Sequence, residues 1–386
     1  MSKVLSLPGK GAPPGPVPPL SSVAEILQEL RAGRMVVVMD DEERENEGDL
    51  IMAAEHATAE AVAFMIRHTS GIICVPMEEE RLAQLELPQM VPVNSESHRT
   101  AFTVSVDLRA GTTTGVSSAD RAATIRALAE PASSAADFAR PGHIFPLRSR
   151  RGGVLVRAGH TEAAVDLCRL AGLKPVGVLC EVMNEDGSMA RRPQLQQFAQ
   201  RHGLKIGTIA DLIRHRLRTE RSVERISEQT VQTELGEFRL YAYQDEVSLE
   251  VHLVLAHGRI DGPEAPVVRV HVTDTLRDLL GLRGNARAWT LRAAMQRIVD
   301  AGNGVVIVLR QQESARELAD AVRAFAAPLA SESDSGEGTV LRTFGVGAQI
   351  LKDLGVKRMR VLSAPKQMHG IAAFGLEIEG YVGEDG

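Results

Sequence analysis

Short apolar runs alternate with amphipathic segments through the first half of the chain. Apolar residues within 23–30 recur at the spacing of one helical face, and Gly33 is placed to end that helix. The run MVVVM at 35–39 is short, apolar and β-branched, which predicts a buried strand. This alternation indicates an α/β fold. It predicts further strands at 71–77, 101–108, 152–158 and 176–183, and helices at 57–68, 118–129, 161–171 and 193–202.

The pattern is interrupted once and then resumes. The stretch 216–229 is dense in charge and nearly free of strand signal, so it predicts a linker helix or a domain boundary. Beyond it, the polar segment 331–338 predicts a mobile loop. We predict an α/β (α+β) protein of two domains, 21–219 and 220–386, each a mixed sheet layered with helices. The strands of the second domain are predicted near 237–243, 250–256, 267–273, 304–309 and 357–363.

Composition excludes several classes of function. The chain has 386 residues and a formal net charge of −6, which argues against a general binder of nucleic-acid phosphates. Aromatic residues make up only 3%, so platforms for stacking bases are scarce. No apolar run approaches the roughly 18 residues of a membrane span. Residues 1–20 are rich in Pro and Gly, lack the apolar core of a signal peptide, and predict a disordered leader. We therefore expect a soluble cytoplasmic protein that contacts neither nucleic acid nor membrane.

The cysteines argue against two kinds of crosslink. There are three, Cys74, Cys168 and Cys180, and none follows residue 180. An odd number without CxxC spacing fits neither a disulfide framework nor a zinc knuckle. Cys74, within an apolar run, is expected to be a small core residue rather than a nucleophile.

The segment DDEERENEGD at 40–49 directly follows the first predicted strand. It holds seven carboxylates in ten positions, with Arg44 as its only base. One interpretation is a solvated acidic loop. The other is a ligand site, because α/β proteins bind ligands where buried strands end, and Gly48 would let the backbone turn sharply. Dense oxygen ligands suit Mg²⁺. The carboxylates this turn would aim at one point are Glu45, Glu47 and Asp49.

A second candidate site is RAGHTEAAVDL at 157–167. Arg157 is expected to end a strand, Ala158–Gly159 to make a turn, and Thr161 to cap the helix that follows. A helix N-terminus with a small-residue turn and a nearby Arg is a natural phosphate site. His160 in that turn would ligate a metal or move protons; the alternative is an ordinary surface-loop histidine.

Three weaker signals remain in the first half. In TTTGVSSADRAA at 112–123, hydroxyl-bearing residues and a glycine precede a predicted helix, and Ser118 is its expected N-cap. His143 follows Pro141–Gly142, a turn that would hold its imidazole rigidly for acid–base work, although a buried structural histidine fits equally well. Glu181 interrupts an apolar strand and is either solvated or a half-buried general base.

Taken in order, these motifs resemble a known family. DDEERENEGDLI, SGIICV, TTTGVSSADR, RPGHIFPL, RAGHTEAAVDL and GVLCE follow one another over about 140 residues, as in the 3,4-dihydroxy-2-butanone 4-phosphate synthases of riboflavin biosynthesis. The resemblance spans about 22–217. It implies a lyase that converts D-ribulose 5-phosphate to L-3,4-dihydroxybutan-2-one 4-phosphate and formate. It also implies Mg²⁺, with Mn²⁺ as a possible substitute, and a homodimer with sites near the interface.

The resemblance also assigns residues. Glu45 and His160 match the metal ligands, and His143 and Glu181 match two groups needed for proton transfer. Enolisation, loss of water, a skeletal shift and formate release each place negative charge on neighbouring oxygens, which Mg²⁺ can stabilise. The residues implied to contact substrate are Arg44, Glu45, Asp49, Arg157, Ala158, Gly159, His160, Thr161 and Glu181.

The second half resembles GTP cyclohydrolase II over about 230–383. GEFRLYAY, VVRVH and FGVGAQILKDLGVKRMRVL carry the likeness, but the family's three zinc cysteines are missing. A gapless alignment from His271 places Asp274, Asn285 and Arg287 at those positions. We therefore expect no zinc and no cyclohydrolase activity.

Three other hypotheses remain open. The chain could be a bifunctional enzyme that also acts on GTP. It could be a non-catalytic regulatory protein, which the intact motifs of the first half oppose. It could also be another Mg²⁺-dependent sugar-phosphate isomerase or lyase, which would not explain the order of the motifs.

Overall fold

A computed structural model describes residues 19–42, 44–282, 289–310, 315–325, 337–363 and 374–383. The predicted leader, 1–20, and the predicted loop, 331–338, lie outside these residues except for two positions each. The chain divides into two units: Met1–Gly153 with Gly159–Asp211, and Val154–Ala158 with Leu212–Gly386. Among the described residues, no helix has the length and apolar character to cross a bilayer.

The first unit alternates helices and strands as the sequence predicts. Its helix α1 begins at Ser22, whose hydroxyl and Glu25 form a reciprocal cap, and it buries its apolar face. The elements are α1 (Val23–Arg31), β1 (Val36–Met39), β2 (Gly48–Ala53), α2 (Ala59–His68), β3 (Cys74–Met77), α3 (Glu79–Gln84), β4 (Val106–Leu108), α4 (Ser118–Ala129), β5 (Phe138–Arg148), α5 (His160–Leu170), β6 (Gly177–Glu181), α6 (Arg192–His202) and β7 (Lys205–Thr208).

The strands form one mixed sheet in the order β4-β5-β3-β6-β2-β1-β7. β2 lies near its centre and runs antiparallel to both neighbours. Its register places Val38 of β1 opposite Asp49, and Asp49 opposite Glu181 of β6. These three residues form a cross-strand row, one residue from each strand. The row brings together two acidic positions that are far apart in sequence.

Both faces of this sheet are covered, which explains why its strands are continuous apolar runs. Every residue of β1, β2 and β3 is buried. Leu50 of β2 shares a core with residues of α2, α4 and α6. Neighbouring side chains of a strand point to opposite faces, so Asp49 faces away from that core. Helix α5 contacts β2, β3 and β6 and provides His160 beside Asp49.

Most predicted elements of the first unit are confirmed, but several are corrected. The strand predicted at 152–158 is wrong, because the segment forms a 3₁₀ turn, Gly153–Leu155, after two glycines with positive φ. The prediction at 101–108 yields only the short strand β4. Strands β2 and β5 were not predicted: acidic residues precede the first, and Pro141 and Gly142 interrupt the second.

The second unit contains a second seven-stranded mixed sheet, ordered β14-β13-β11-β12-β10-β9-β8. Its two faces carry separate apolar clusters, one including residues of α10 and the other residues of α8. Both units of the chain therefore have the predicted fold class, a mixed sheet layered with helices. The elements are α7 (Ile209–Thr219), β8 (Val223–Thr233), β9 (Gly236–Asp245), β10 (Val251–His257), β11 (Val267–Val272), α8 (Leu291–Asp300), β12 (Gly304–Leu309), α9 (Ala315–Phe325), α10 (Glu337–Asp353), β13 (Arg358–Leu362) and β14 (Glu377–Val382).

Of the two alternatives predicted for 216–229, the linker helix is wrong, and the division between the two units falls slightly earlier, between Asp211 and Leu212. Helix α7 ends at Thr219, and the edge strand β8 begins four residues later. Most side chains of β8 are exposed, so its charges meet water rather than a core. Charged residues are common on edge strands, which is why charge density misled the prediction. The five strands predicted for this half are confirmed within two residues of their ends.

Candidate active site

The acidic segment after β1 folds around the carboxylate of Asp40. Its Oδ1 accepts a hydrogen bond from the Glu47 backbone N–H at 2.8 Å, and its Oδ2 accepts one from the Glu45 N–H at 3.0 Å. Arg44 Nη1 donates to the same Oδ2 at 2.9 Å. From outside the segment, Arg191 donates to the backbone carbonyls of Glu45 and Asn46. The described residues of the segment therefore form a hydrogen-bonded loop rather than a solvated acidic run.

Glu45 and His160 meet at the end of this loop. Glu45 Oε2 lies 3.6 Å from His160 Nδ1 and accepts a 2.6 Å hydrogen bond from Arg44 Nη1. Burial alone would raise the pKa of Glu45, but hydrogen bonding to His160 and the Arg44 charge lower it to about 2. Ligand atoms of Asp40, Glu45 and His160 lie within 4.8 Å of one another. Among the described residues, no other group of three or more such side chains has this spacing.

His160 is oriented by the backbone of β1. Its Nε2 lies 3.1 Å from the Val38 carbonyl oxygen, which fixes Nε2 as the protonated nitrogen. Nδ1 therefore faces Glu45 and Asp49 with its lone pair when the ring is neutral. Burial opposes protonation, but the surrounding carboxylates, Asp49 first, raise the pKa of His160 to about 9. A histidine that binds a metal through one ring nitrogen usually donates its other N–H to a carbonyl or carboxylate, as His160 does to Val38.

Asp49 is the most deeply buried acid of the site. Its side chain is 2% exposed, and Oδ1 accepts no hydrogen bond from the described residues. Burial raises its pKa to about 7, with the His160 charge opposing this and the Glu181 charge adding to it. A buried acid oxygen without a partner is costly in a finished core, so its presence favours a bound group. Glu181, its partner across the row, is half-buried at the end of β6.

His143 belongs to a different cluster, on β5. Its side chain is 49% exposed and its Nδ1 lies 2.7 Å from Asp107 Oδ2, while its backbone N–H donates to Asp107 Oδ1 at 2.9 Å. β3 and β6 separate β5 from β2 in the sheet. Gly142 is required here, because a Cβ would lie 2.0 Å from the Val106 carbonyl carbon. The turn predicted before His143 is instead part of strand β5.

The segment before α5 differs from the prediction. Gly159 is the N-cap, and Thr161, buried within the first turn, makes no capping hydrogen bond. Arg157 and Ala158 are half-exposed and follow the 3₁₀ turn rather than a strand. Gly159 and Thr161 thus flank His160, whereas Arg157 and Ala158 fall in the part of the chain grouped with the second unit.

Three smaller interpretations also change. The N-cap of α4 is Ser117 rather than Ser118. Gly48 does not turn the loop: it begins β2, where a Cβ would lie 2.6 Å from Leu195 Cδ1. The positive φ is at Asn46 instead. Cys74 is a buried free cysteine, and burial raises the pKa of its thiol well above its usual range, as expected for a core residue.

The structure adds residues that the sequence analysis missed. Asp40 was counted among the acids but given no role, although it is the first residue after β1. Asp107 was missed because it lies 31 positions before the start of β5, and nothing in the local sequence indicates that β4 and β5 pair. His98 was missed because the segment around it follows neither a helix nor a strand pattern. Its Nδ1 lies 3.9 Å from Glu45 Oε1.

The site brings together donor atoms of the types that bind divalent cations and side chains of the types that transfer protons. Family comparisons specify the class. A model described as 3,4-dihydroxy-2-butanone 4-phosphate synthase matches residues 24–215, and one described as GTP cyclohydrolase II matches residues 224–383. A 3,4-dihydroxy-2-butanone 4-phosphate synthase of Pseudomonas aeruginosa is 51% identical over 363 residues, 94% of this chain and 99% of that protein. The chain belongs to the 3,4-dihydroxy-2-butanone 4-phosphate synthase family.

Two crystal structures are similar to this fold. One is a two-domain 3,4-dihydroxy-2-butanone 4-phosphate synthase from A. baumannii, with 42% identity, a TM-score of 0.82, and coverage of 94% of this chain and 99% of that one. The other is a 3,4-dihydroxy-2-butanone 4-phosphate synthase in complex with two magnesium ions. It covers 52% of this chain and 99% of its own, with 48% identity and a TM-score of 0.51.

Proposed function

We propose that this chain is a lyase that converts D-ribulose 5-phosphate to L-3,4-dihydroxybutan-2-one 4-phosphate and formate. The observation that carries the proposal is the meeting of Glu45 and His160 beside Asp49, whose buried Oδ1 lies 3.9 Å from His160 Nδ1 and accepts no hydrogen bond from the described residues. Family membership supplies the reaction, and the carboxylates and histidine of the site support it by their chemical type. The protein would act in the cytoplasm, as a homodimer.

The donor set fits a divalent cation. Glu45 and His160 would hold it, with His160 Nδ1 presented by the Val38 carbonyl and Asp40 keeping the loop in shape. When bound, Mg²⁺ would act as a Lewis acid on the vicinal oxygens of the sugar phosphate. Carboxylate oxygens also suit Mn²⁺, which we expect to substitute. The set contains no cysteine, and zinc is not needed for this reaction.

Substrate would be held around this centre. Asp49 and Glu181, side by side in the cross-strand row, would accept hydrogen bonds from sugar hydroxyls. The first turn of α5, from Gly159 to Thr161, offers backbone N–H groups that favour an anion such as phosphate. Arg44, which also pairs with Glu45, would contribute positive charge. Arg157 and Ala158 complete the proposed phosphate segment by their place in the motif.

Two groups would carry protons. Glu181 at the end of β6 would remove a proton from carbon during enolisation. His143 would exchange protons through Nε2, because Asp107 engages Nδ1 and leaves Nε2 as the working nitrogen. The same Asp107 carboxylate also accepts a hydrogen bond from the His143 backbone N–H. Asp107 therefore fixes the orientation of the imidazole ring without any movement of a covering loop. These roles match the residue types that successive enolisation and dehydration steps need.

The proposal also assigns a separate role to each of the two domains. Residues 21–219 would perform the chemistry, and 220–386 would be a cyclohydrolase-like domain without that activity. In support, Asp274 stands where the family's first zinc cysteine is expected, and its carboxylate accepts hydrogen bonds from the N–H groups of Leu276 and Arg277. His271 Nε2 pairs with Asp278 at 2.7 Å. Asn285 and Arg287 lie outside the described residues.

A formate assay tests both halves. Purified protein receives ribulose 5-phosphate with Mg²⁺, and separately GTP with Mg²⁺ or Zn²⁺. We expect formate from the sugar phosphate alone, and its loss in Glu45→Gln and His160→Ala. The matched control is His257→Ala, which changes a half-buried histidine of the second unit. Formate from GTP would mean a bifunctional enzyme. Formate from neither substrate would reject the proposed reaction and favour a regulatory protein.

A further inference from the structure

The segment between Pro88 and Val104 forms an anchored projection with a self-folded tip. Its base is fixed by backbone hydrogen bonds from Val104 N–H to the Pro88 carbonyl and from Met90 N–H to the Phe102 carbonyl. The rings of Phe102 and Phe145 stack edge-on with centroids 6.4 Å apart. The tip, residues 94–100, contains no helix or strand, yet its side chains bond extensively to its own backbone.

Glu96 is the centre of that tip. Its carboxylate accepts hydrogen bonds from the backbone N–H groups of His98 and Thr100, each at 2.8 Å, and from the Ser97 hydroxyl. Asn94 closes the turn by bonding the Glu96 N–H and the Thr100 carbonyl. Slight burial would raise the pKa of Glu96, but these hydrogen bonds lower it to about 2. The carboxylate is therefore charged throughout the neutral range.

This tip delivers His98 to the candidate metal site. His98 Nδ1 lies 3.9 Å from Glu45 Oε1, and its side chain is 39% exposed. The other oxygen of Glu45, Oε2, faces Arg44 and His160. The two oxygens thus meet different partners, and His98 approaches the one that faces away from His160. A shift of about 1 Å would bring this contact to hydrogen-bond length.

We propose that His98 is a positioning residue that orients the Glu45 carboxylate for divalent-cation binding, and that the Glu96-centred tip holds His98 in place. Once the contact shortened to hydrogen-bond length, an imidazole donor on Oε1 would fix the rotation of the carboxylate and keep Oε2 directed to His160. The proposal rests on the proposed function for the identity of the cation. It assigns a role to a segment that no motif in the chain identifies.

Metal binding by the intact chain, without substrate, tests the proposal. Mn²⁺ affinity would be measured by electron paramagnetic resonance for wild type, His98→Ala, His98→Gln and Glu96→Gln. Removing a residue that hydrogen-bonds to a metal ligand typically weakens metal affinity about 10-fold or more. We therefore expect His98→Ala to weaken Mn²⁺ binding by about 10-fold or more. His98→Gln keeps a donor and should recover most of the affinity. Glu96→Gln should lie between the two.

Arg99→Ala is the matched control, since Arg99 is the exposed neighbour of His98 within the tip. It should bind Mn²⁺ as wild type does. In the formate assay, excess Mg²⁺ should restore the kcat of His98→Ala, which it would not do for a misfolded protein. Wild-type Mn²⁺ affinity in His98→Ala, or an equal loss in Arg99→Ala, would overturn the proposal. If wild type binds Mn²⁺ but releases no formate, the proposed reaction fails while this test still decides the role of His98.

Discussion

The pair formed by Asp107 and His143 allows a quantitative prediction. In Asp107→Asn the shape is kept, so the side chain still fits against Gly115, where a Cβ would lie 2.1 Å from Asp107 Oδ2. The amide oxygen would accept the His143 backbone N–H, leaving the NH₂ group to face Nδ1. The imidazole must then carry its proton on Nε2, so that atom can no longer accept one from substrate.

The size of the effect follows from the contact. A hydrogen bond to a charged group contributes about 1.5–3 kcal/mol. His143 is 49% exposed and Asp107 13%, so solvent screens the pair and the lower end of that range applies. About 1.5–2 kcal/mol corresponds to a loss of roughly 10- to 30-fold in kcat.

Initial rates of formate release from ribulose 5-phosphate would measure this loss, with His143→Gln and the double variant completing a cycle. Because Asp107 acts through His143, the double variant should be no slower than His143→Gln alone. A loss below twofold in Asp107→Asn, or fully additive losses in the double variant, would refute the positioning role.

Three further predictions concern the same unit. Chelation of divalent ions should abolish formate release, and Mg²⁺ or Mn²⁺ should restore it in wild type but not in His160→Ala; restoration in the variant would exclude His160 as a ligand. Gly142→Ala should lower the melting temperature and the activity together, because overpacking of this kind costs about 1–3 kcal/mol; an unchanged melting temperature would contradict the contact. Burial and nearby arginines lower the pKa values of His68 and His202, so protonation favours the unfolded chain and stability should fall as the pH drops below about 6.5; thermal scans between pH 7.5 and 5.5 should show a smaller fall in His202→Phe, and an equal fall would reject this origin.

The sequence predicts those parts of the site that lie next to one another in the chain. The acidic segment does follow a buried strand, as predicted, and its described residues hydrogen-bond around Asp40. The site at His160 could be predicted because Gly159 directly precedes a buried helix, and this local pattern is visible in the sequence. The metal and substrate roles of these residues stay predictions until they are measured. Local patterns suffice here, because a strand end or a helix start is specified within a few residues.

Contacts between distant segments could not be predicted in the same way. The partner of His143 lies 36 residues earlier, and the partnership of Asp49 with Glu181 spans 132 positions. Such pairs depend on strand order and register, which the sheet as a whole decides. The interpretation of 216–229 failed for a related reason. Charge density does not distinguish a linker helix from an exposed edge strand, whose surroundings are known only after folding.

The cross-strand row also has a consequence for how this enzyme can be altered. Inserting or deleting one residue in β2 would turn Asp49 towards the apolar core and bring Leu50 to the site, because side chains alternate along a strand. Length changes in β2 or β6 should therefore abolish function even though every residue of the site is retained. Residues 94–100 belong to no strand, so a change in the length of this tip would leave the cross-strand row intact and would act on the site only through His98.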